Sequence, residues 1–369
     1  MRTGRSFARV LGIISALWLA VACAPAGGAP PAAPPASNSG GASAPAASSG
    51  QPAAPTAPPP LLRARFGYAA ISSYQAHAVL ARDAGIFQKH GLDVELVYLA
   101  GSSRATQALV GGDVDFAFIS GDAAVSANLN GADTVMVMGG ANTVVHNLLV
   151  SPDVRSGEDL RGKSVGLVTF GSVPHFGAVY ALRKLGLQPG ADVTLVQVAG
   201  NPEVLAALQS GAIAGGMLTT PLLSQGEAMG FHVLYDLKGE RVPYPSLAVA
   251  TTRGYLARNE ATTVAFLKAM METTYLYKHD RPRALQLLRE VTKVDDPALL
   301  EETLNDTLPN LADPPIYPTV RGTQNVLDWL GESDAKARGM AAEQFIDDRL
   351  VRQIEASGFV ESLGAGQPR

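Results

Sequence analysis

Small polar side chains follow several apolar segments of this chain at the points where those segments end. Ser120 and Asp122 come directly after residues 116–119, and Ser172 follows residues 164–169. An apolar segment, a polar residue and an Ala/Leu-rich stretch in this order are typical of a strand, a turn and a helix. The start of a helix presents unpaired N–H groups and a positive dipole end, which suit a polar or anionic ligand. The candidate ligand-binding residues are Ser72, Ser73, Tyr74, Ser120, Asp122, Ser172, His175, Thr219 and Thr220.

Each candidate also has a structural alternative. Ser, Thr and Asp are favoured N-caps wherever a helix begins, so their hydroxyl or carboxylate can serve the helix alone. His175, one turn into a helix, suits packing or capping as well as ligand contact. Tyr74 suits core packing as well as stacking on a planar solute. Asp122 fits a ligand with an amino or ring N–H donor if its carboxylate faces that ligand.

The number and spacing of the Cys and His residues, together with the net charge, argue against several kinds of site. Cys23 is the only cysteine in 369 residues, so a disulfide framework and any site with two thiolates are excluded. The six histidines are scattered without metal-ligand spacing, and no metal or cofactor is expected. The net charge is −4 with acids and bases interspersed, and this pattern argues against a nucleic-acid partner.

Apolar runs and helical patterns alternate from residue 61 onward, which predicts an α/β domain. The helical predictions are residues 75–89 and 173–185, followed by a helical pattern from Asn259 that carries an amphipathic stripe over 262–277. Strands are predicted at residues 65–70, 92–99, 116–119, 135–138, 148–150, 164–169, 193–198, 215–218 and 247–251.

One segment of this α/β pattern occurs twice, 99 residues apart and without a gap. Residues 108–120 align with 207–219, with identities at Ala108 and Ala207 and at Gly112 and Gly211. The repeat predicts two similar lobes, with the ligand between them at the carboxyl ends of their strands. Lobe 1 is predicted at residues 61–144 and 246–369 and lobe 2 at 145–245, so the chain crosses twice, near residues 142–147 and 242–246.

The N-terminus resembles that of a bacterial lipoprotein. Arginines precede an apolar run at residues 10–21 that is too short to span a bilayer, and the run ends at small residues before Cys23. Residues 1–22 are therefore predicted to be a signal peptide and Cys23 a lipidation site. Residues 24–60 contain only Ala, Pro, Gly, Ser, Asn, Gln and Thr, which predicts that 23–60 form a disordered tether.

Three segments of the domain resemble a known family. They are AGIFQKHGLDVEL at residues 84–96, ALVGGDVDF at 108–116 and DLRGKSVG at 159–166. Together they are similar to the nitrate/sulfonate/taurine and thiamine-pyrimidine group of ABC-transporter substrate-binding proteins, and the similarity covers roughly residues 63–359. The resemblance implies the type II periplasmic-binding-protein fold, in which two lobes, each a mixed sheet flanked by helices, are joined by two hinge crossovers.

The function expected from this resemblance is binding without catalysis. A monomer, lipid-anchored at the extracytoplasmic face of a membrane, would close on a small organic anion-like solute (a sulfonate, carboxylate or heterocycle) and deliver it to an ABC permease. A ligand sensor that docks on a receptor is the alternative. An enzyme of pyrimidine synthesis is disfavoured, because the enzymes of that type related to the family carry a cysteine-rich motif and work in the cytosol.

Overall fold

The computed structural model describes residues 60–365 of the chain. The predicted signal peptide, Cys23 and the tether up to residue 59 lie outside the described residues. Within residues 60–365, ten strands form two sheets of five strands each. The strands are β1 Leu62–Tyr68, β2 Leu92–Tyr98, β3 Phe116–Ile119, β4 Thr134–Thr143, β5 Asn147–Val150, β6 Ser164–Leu167, β7 Thr194–Gln197, β8 Gly215–Leu218, β9 His232–Tyr235 and β10 Pro243–Thr252.

The two sheets have the same topology. The first has the strand order β2-β1-β3-β10-β4, in which β1 runs parallel to β2 and β3 while β10 runs antiparallel to β3 and β4. The second has the order β7-β6-β8-β5-β9, in which β6 runs parallel to β7 and β8 while β5 runs antiparallel to β8 and β9. We call the first sheet with its helices lobe 1 and the second with its helices lobe 2.

The helices connect and cover these strands. They are α1 Ala76–Asp83, α2 Ile86–Lys89, α3 Ser102–Gly111, α4 Gly121–Leu129, α5 Val173–Lys184, α6 Asn201–Gln209, α7 Leu222–Ala228, α8 Leu237–Glu240, α9 Arg253–Arg258, α10 Glu260–His279, α11 Arg281–Thr292, α12 Pro297–Thr307, α13 Val320–Leu330, α14 Arg349–Ala356 and α15 Phe359–Gly364. Among the described residues, no helix combines the length and the hydropathy needed to cross a bilayer.

The offset of 99 residues found in the sequence extends through both lobes. Strands β3 and β8 begin at Phe116 and Gly215, and helices α3 and α6 begin at Ser102 and Asn201. Each lobe thus contains the same βα units in the same register, and the prediction of two similar lobes is confirmed.

Helix α10 confirms the amphipathic stripe predicted over residues 262–277. Its Phe266 is fully buried, with its ring stacked 4.1 Å from that of Phe116 and set edge-on, 4.9 Å away, to that of Phe66. Aromatic pairs at such distances add to the free energy gained from burying their area. The stripe therefore fixes α10 on the sheet of lobe 1.

Three local predictions differ from the structure. The helix predicted over 75–89 is divided into α1 and α2 at Gly85, whose φ of 67° interrupts the helix. Strand β9 was not predicted. Strand β4, predicted at residues 135–138, extends over Thr134–Thr143.

The chain changes sheet twice. It passes from β4 to β5 through residues 144–146 and returns from α8 to β10 through Arg241 and Val242. The two crossing segments are bonded to each other, since the Val144 N–H donates to the Val242 carbonyl at 2.9 Å. This pair of adjacent crossings is the hinge of the two-lobed fold.

Candidate functional site

The candidate residues lie in the loops that follow β1, β3, β6 and β8 or, for Asp122 and His175, in the first turn of the next helix. The repeat relates these loops in pairs, so Ser73 corresponds to Ser172 and Ser120 corresponds to Thr219. Ser120 and Ser172 are the N-cap residues of α4 and α5, as the sequence predicts. Both lobes therefore present helix N-termini with hydroxyl side chains, which is the arrangement expected of an anion-binding cleft.

Asp122 is bound to the hinge. Its carboxylate is 2% exposed and accepts a hydrogen bond of 2.8 Å from the hydroxyl of Tyr244, a residue of the hinge strand β10. Burial raises the pKa of Asp122 to about 6, against the lowering effect of the hydrogen bonds from Tyr244 and Ser120. The Ser120 N–H donates to the Ser102 hydroxyl at 3.2 Å, which links the loops after β2 and β3.

The loop after β1 is held by lobe 1 itself. Ser73 is buried, and its hydroxyl accepts a hydrogen bond of 2.7 Å from Thr307 while its carbonyl accepts one of 3.1 Å from the Tyr277 hydroxyl. Ser72 is partly exposed and remains accessible. The Tyr74 hydroxyl is buried without a hydrogen-bond partner, and its pKa is raised by burial and by the nearby charge of Asp306.

In lobe 2, Ser172 and His175 serve their own loop. The Ser172 hydroxyl donates to the Thr169 carbonyl at 2.5 Å, and His175 Nδ1 accepts from the Gly171 N–H at 3.0 Å. Burial lowers the pKa of His175, so the ring is neutral at pH 7. Its ring lies edge-on to Phe170 and to Trp329 of α13, at 5.0 and 5.1 Å. Ser172 and His175 are thus not paired as a nucleophile and its base.

A cavity of about 850 Å³ lies between the two lobes beside the hinge. We call it the interlobe cavity. Thr220 lines it from lobe 2, together with Asn147 and Lys238, while Asp306 and Asn310 line it from lobe 1. Its volume is within the range of small-molecule sites. Thr219 lies one residue before this wall, and its carbonyl accepts from the Leu223 N–H at 3.0 Å.

An ion pair closes one side of this cavity. The ammonium of Lys238 on α8 contacts the carboxylate of Asp306 on α12, with the two side chains 10% and 21% exposed. Asn147 supports the lobe 2 side, since its amide oxygen accepts from the Lys238 N–H at 3.1 Å and its NH₂ donates to Asp236 at 3.0 Å. The pair joins the lobes directly, and the sequence analysis missed both of its members because no local pattern marks them.

Several buried polar atoms near the hinge have no hydrogen-bond partner within residues 60–365. Buried polar groups are nearly always bonded, so a water, an ion or a bound molecule is expected to satisfy atoms of this kind. Besides the Tyr74 hydroxyl they include Thr143 Oγ1, His146 Nδ1, Ser246 Oγ and Asp306 Oδ2. Burial and the charge of Lys238 lower the pKa of His146 to about 4, so its ring is neutral at pH 7.

The arrangement supports recognition. It offers hydroxyls, two cations and four carboxylates around a cavity, and residues 60–365 contain no group of three or more His, Cys, Asp or Glu placed to hold a metal ion. Tyr244 is fully buried, and its ring lies 4.5 Å from that of Phe176 across the lobes.

Comparison with known proteins agrees with this description. A model described as "NMT1-like family" matches residues 57–289. YtlA of Bacillus subtilis (strain 168), described as a binding protein, is 22% identical over 250 residues, which are 66% of this chain and 75% of YtlA.

Solved structures with this fold include two periplasmic binding proteins. The periplasmic aliphatic sulphonate binding protein SsuA from Escherichia coli has a TM-score of 0.66 and 20% identity, over 80% of this chain and 100% of SsuA. The periplasmic nitrate-binding protein NrtA from Synechocystis PCC 6803 has a TM-score of 0.60 and 16% identity, over 80% of this chain and 89% of NrtA.

Proposed function

The chain belongs to the NMT1-like family, and we propose that it is the solute-binding component of an ABC importer. The observation that carries the proposal is the interlobe cavity, whose walls come from two lobes of identical topology beside a two-stranded hinge. A ligand that touches both lobes favours the closed form in proportion to its differential affinity for that form. A permease can then distinguish the loaded protein from the empty one.

We propose that the solute is a small organic anion, a sulfonate, carboxylate or acidic heterocycle, which also carries an amino or N–H donor. Helix N-termini, hydroxyls and Lys238 favour an anionic group. Carboxylates line the same cavity at Asp236 and Asp306, and they favour a donor elsewhere on the solute. The binding proteins SsuA and NrtA, named for sulphonate and nitrate, agree with the anionic part.

We also propose that the mature chain is a lipoprotein at the extracytoplasmic face, anchored through Cys23. The basis is the sequence: an apolar run ending in small residues before Cys23, and a tether that contains no core-forming residues. Cys23→Ala should move the protein from the membrane fraction to the soluble fraction. If the variant partitions into detergent as the parent chain does, the anchor is elsewhere.

The solute can be identified by thermal denaturation of the full-length chain with taurine, butanesulfonate, nitrate and a pyrimidine. A ligand at a hundredfold excess over its Kd adds about 2.7 kcal/mol to the stability of the folded state. We expect taurine, which combines a sulfonate with an amine, to give the largest increase in Tm. The active ligand should also reduce the radius of gyration in small-angle scattering.

Bulky substitutions then test whether the solute lies between the lobes. Ser224→Phe and Asn310→Phe change partly exposed residues that line the interlobe cavity from different lobes, and each should weaken binding at least tenfold. Asp113→Asn, on an exposed turn, is the control. Tight binding with unchanged scattering, unaffected by both substitutions, is incompatible with a site between the lobes.

A further inference from the structure

A second cavity lies between the lobes on the α5 side of the hinge. It has a volume of about 500 Å³, and we call it the hinge cavity. Tyr180 and Arg183 of α5 form its lobe 2 wall, Arg321 and Trp329 of α13 form its lobe 1 wall, and Val242 lies at its base. Both the size and the mixture of aromatic and charged walls are typical of small-molecule sites.

The hinge cavity is separate from the interlobe cavity, because the two cavities share no lining residue. Phe176, Tyr180 and Arg183 occupy one stripe of α5 that leads away from the helix N-terminus. At about 1.5 Å per residue, Arg183 lies roughly 16 Å along the helix axis from Ser172. The interlobe cavity, in contrast, is lined by α8 and by residues at the ends of α7 and α12.

Three aromatic rings line one part of the hinge cavity. The Phe176 ring lies 5.6 Å from that of Trp329 at an interplanar angle of 77°, and 6.0 Å from that of Tyr180. Walls of this kind suit a planar aromatic molecule, which gains both area burial and ring contacts.

The charges of the hinge cavity favour an anion. Its two carboxylates are engaged: Glu332 accepts bidentate bonds of 2.7 and 2.6 Å from Arg183, and Asp328 accepts one of 2.9 Å from Gln324. Within residues 60–365, the guanidinium of Arg321 makes no hydrogen bond or ion pair. A free guanidinium beside aromatic walls is well suited to a carboxylate or sulfonate, which it binds in bidentate fashion.

We propose that the hinge cavity is a second ligand site, which takes a small planar aromatic carboxylate or sulfonate with its acidic group on Arg321. The Arg183–Glu332 bridge and the rings of Tyr180 and Trp329 belong to different lobes, so a ligand held among them stabilises one arrangement of the lobes over others. The site is therefore an effector site whose occupancy is linked to the solute site. This inference does not depend on which solute the chain carries.

Tryptophan fluorescence offers a direct test. The chain has two tryptophans, so Trp18→Phe in the full-length chain leaves Trp329 as the only one. Benzoate is the probe, and uncharged benzamide is its matched control. We expect a saturable change in Trp329 emission with benzoate, and at least about tenfold weaker binding of benzamide, because only benzoate pairs with Arg321.

Variants distinguish the hinge cavity from other sites. Arg321→Ala should weaken benzoate binding about tenfold and Arg321→Lys less than that, since Lys keeps the charge but loses the planar fork. Arg63→Ala removes another exposed arginine, which has only a 3.7 Å contact with Asp93, and it should have no effect. Saturating benzoate should also change the radius of gyration.

Three results would overturn the proposal. One is the absence of a saturable signal with benzoate. Another is benzoate binding that Ser224→Phe abolishes and Arg321→Ala leaves intact, because the probe would then occupy the interlobe cavity. The third is a radius of gyration that does not respond to saturating benzoate, which would remove the link between the cavity and the lobes.

Discussion

Replacing Asp122 by Asn tests whether a buried charge at the hinge lowers the stability of this protein. Asp122 is 2% exposed at the start of α4, and its main identified partner is the hydroxyl of Tyr244 at 2.8 Å. Asn has the same shape and keeps an oxygen that accepts this hydrogen bond. The substitution therefore removes the charge and leaves the contact.

The size and sign of the effect follow from the pKa. Burial raises the pKa of Asp122 from an ordinary 3.8 to about 6 in the folded protein. The folded state therefore binds a proton more tightly than the unfolded state. The contribution of protonated Asp122 to the stability of the folded state is therefore complete below pH 3.8, and it is lost as the pH rises through about 6. At about 1.4 kcal/mol per tenfold change in proton affinity, the loss is about 3 kcal/mol at neutral pH.

Urea denaturation followed by circular dichroism between pH 4 and 8 measures this difference. Asp122→Asn should match the parent chain near pH 4 and exceed it by up to about 3 kcal/mol above pH 7. Asp113→Asn, at an exposed position on the same lobe, should change stability by less than about 0.5 kcal/mol at any pH. A variant that is less stable than the parent at pH 7.5 would refute the reasoning, because the charged form would then be stabilised by its surroundings.

Three further substitutions test contacts that hold the lobes. Lys238→Met should lower the free energy of unfolding by about 2 to 3 kcal/mol in urea denaturation, because it leaves Asp306 partly buried without its cation. Asp306→Leu in the same chain should restore part of that loss. If the two substitutions instead lower the stability additively, they contradict a direct ion pair. Gly121→Ala should lower the free energy of unfolding by about 1 to 3 kcal/mol, since a Cβ there would lie 2.1 Å from Pro245. An unchanged Tm would show that Pro245 moves freely. Phe266→Ala should lower the free energy of unfolding by about 3 to 5 kcal/mol, because it leaves a cavity among the rings that Phe266 contacts. A loss below about 1 kcal/mol would mean that α10 repacks.

Much of the fold could be predicted from the sequence because its signals are local. Strands β3 and β8 are short buried apolar runs, and their bounds agree with the prediction at both ends. Strand β9 has four partly exposed residues at a sheet edge, so it lacks the apolar run that marks a buried strand. The repeat gives the position of β9, since β9 begins 99 residues after the start of β4 to within a residue or two.

The site could be predicted only in part. Loops after strands are visible in sequence because a turn residue and a helix start follow each apolar run. The contacts that define the hinge are not visible there: Asp122 and Tyr244 are 122 residues apart, and Lys238 and Asp306 are 68 apart. Such pairs depend on how the lobes are placed, and a single sequence carries no local pattern for that placement.

The two lobes are alike in topology, yet they do not contribute equally at the hinge. Gly121 and Thr220 occupy equivalent positions of the repeat, one residue after Ser120 and Thr219 respectively. At the lobe 1 position, Pro245 packs so closely that no side chain fits. At the lobe 2 position, Thr220 lines the interlobe cavity. We therefore expect the α4 N-terminus to anchor the hinge and the α7 N-terminus to meet the solute, so that selectivity resides mainly in lobe 2.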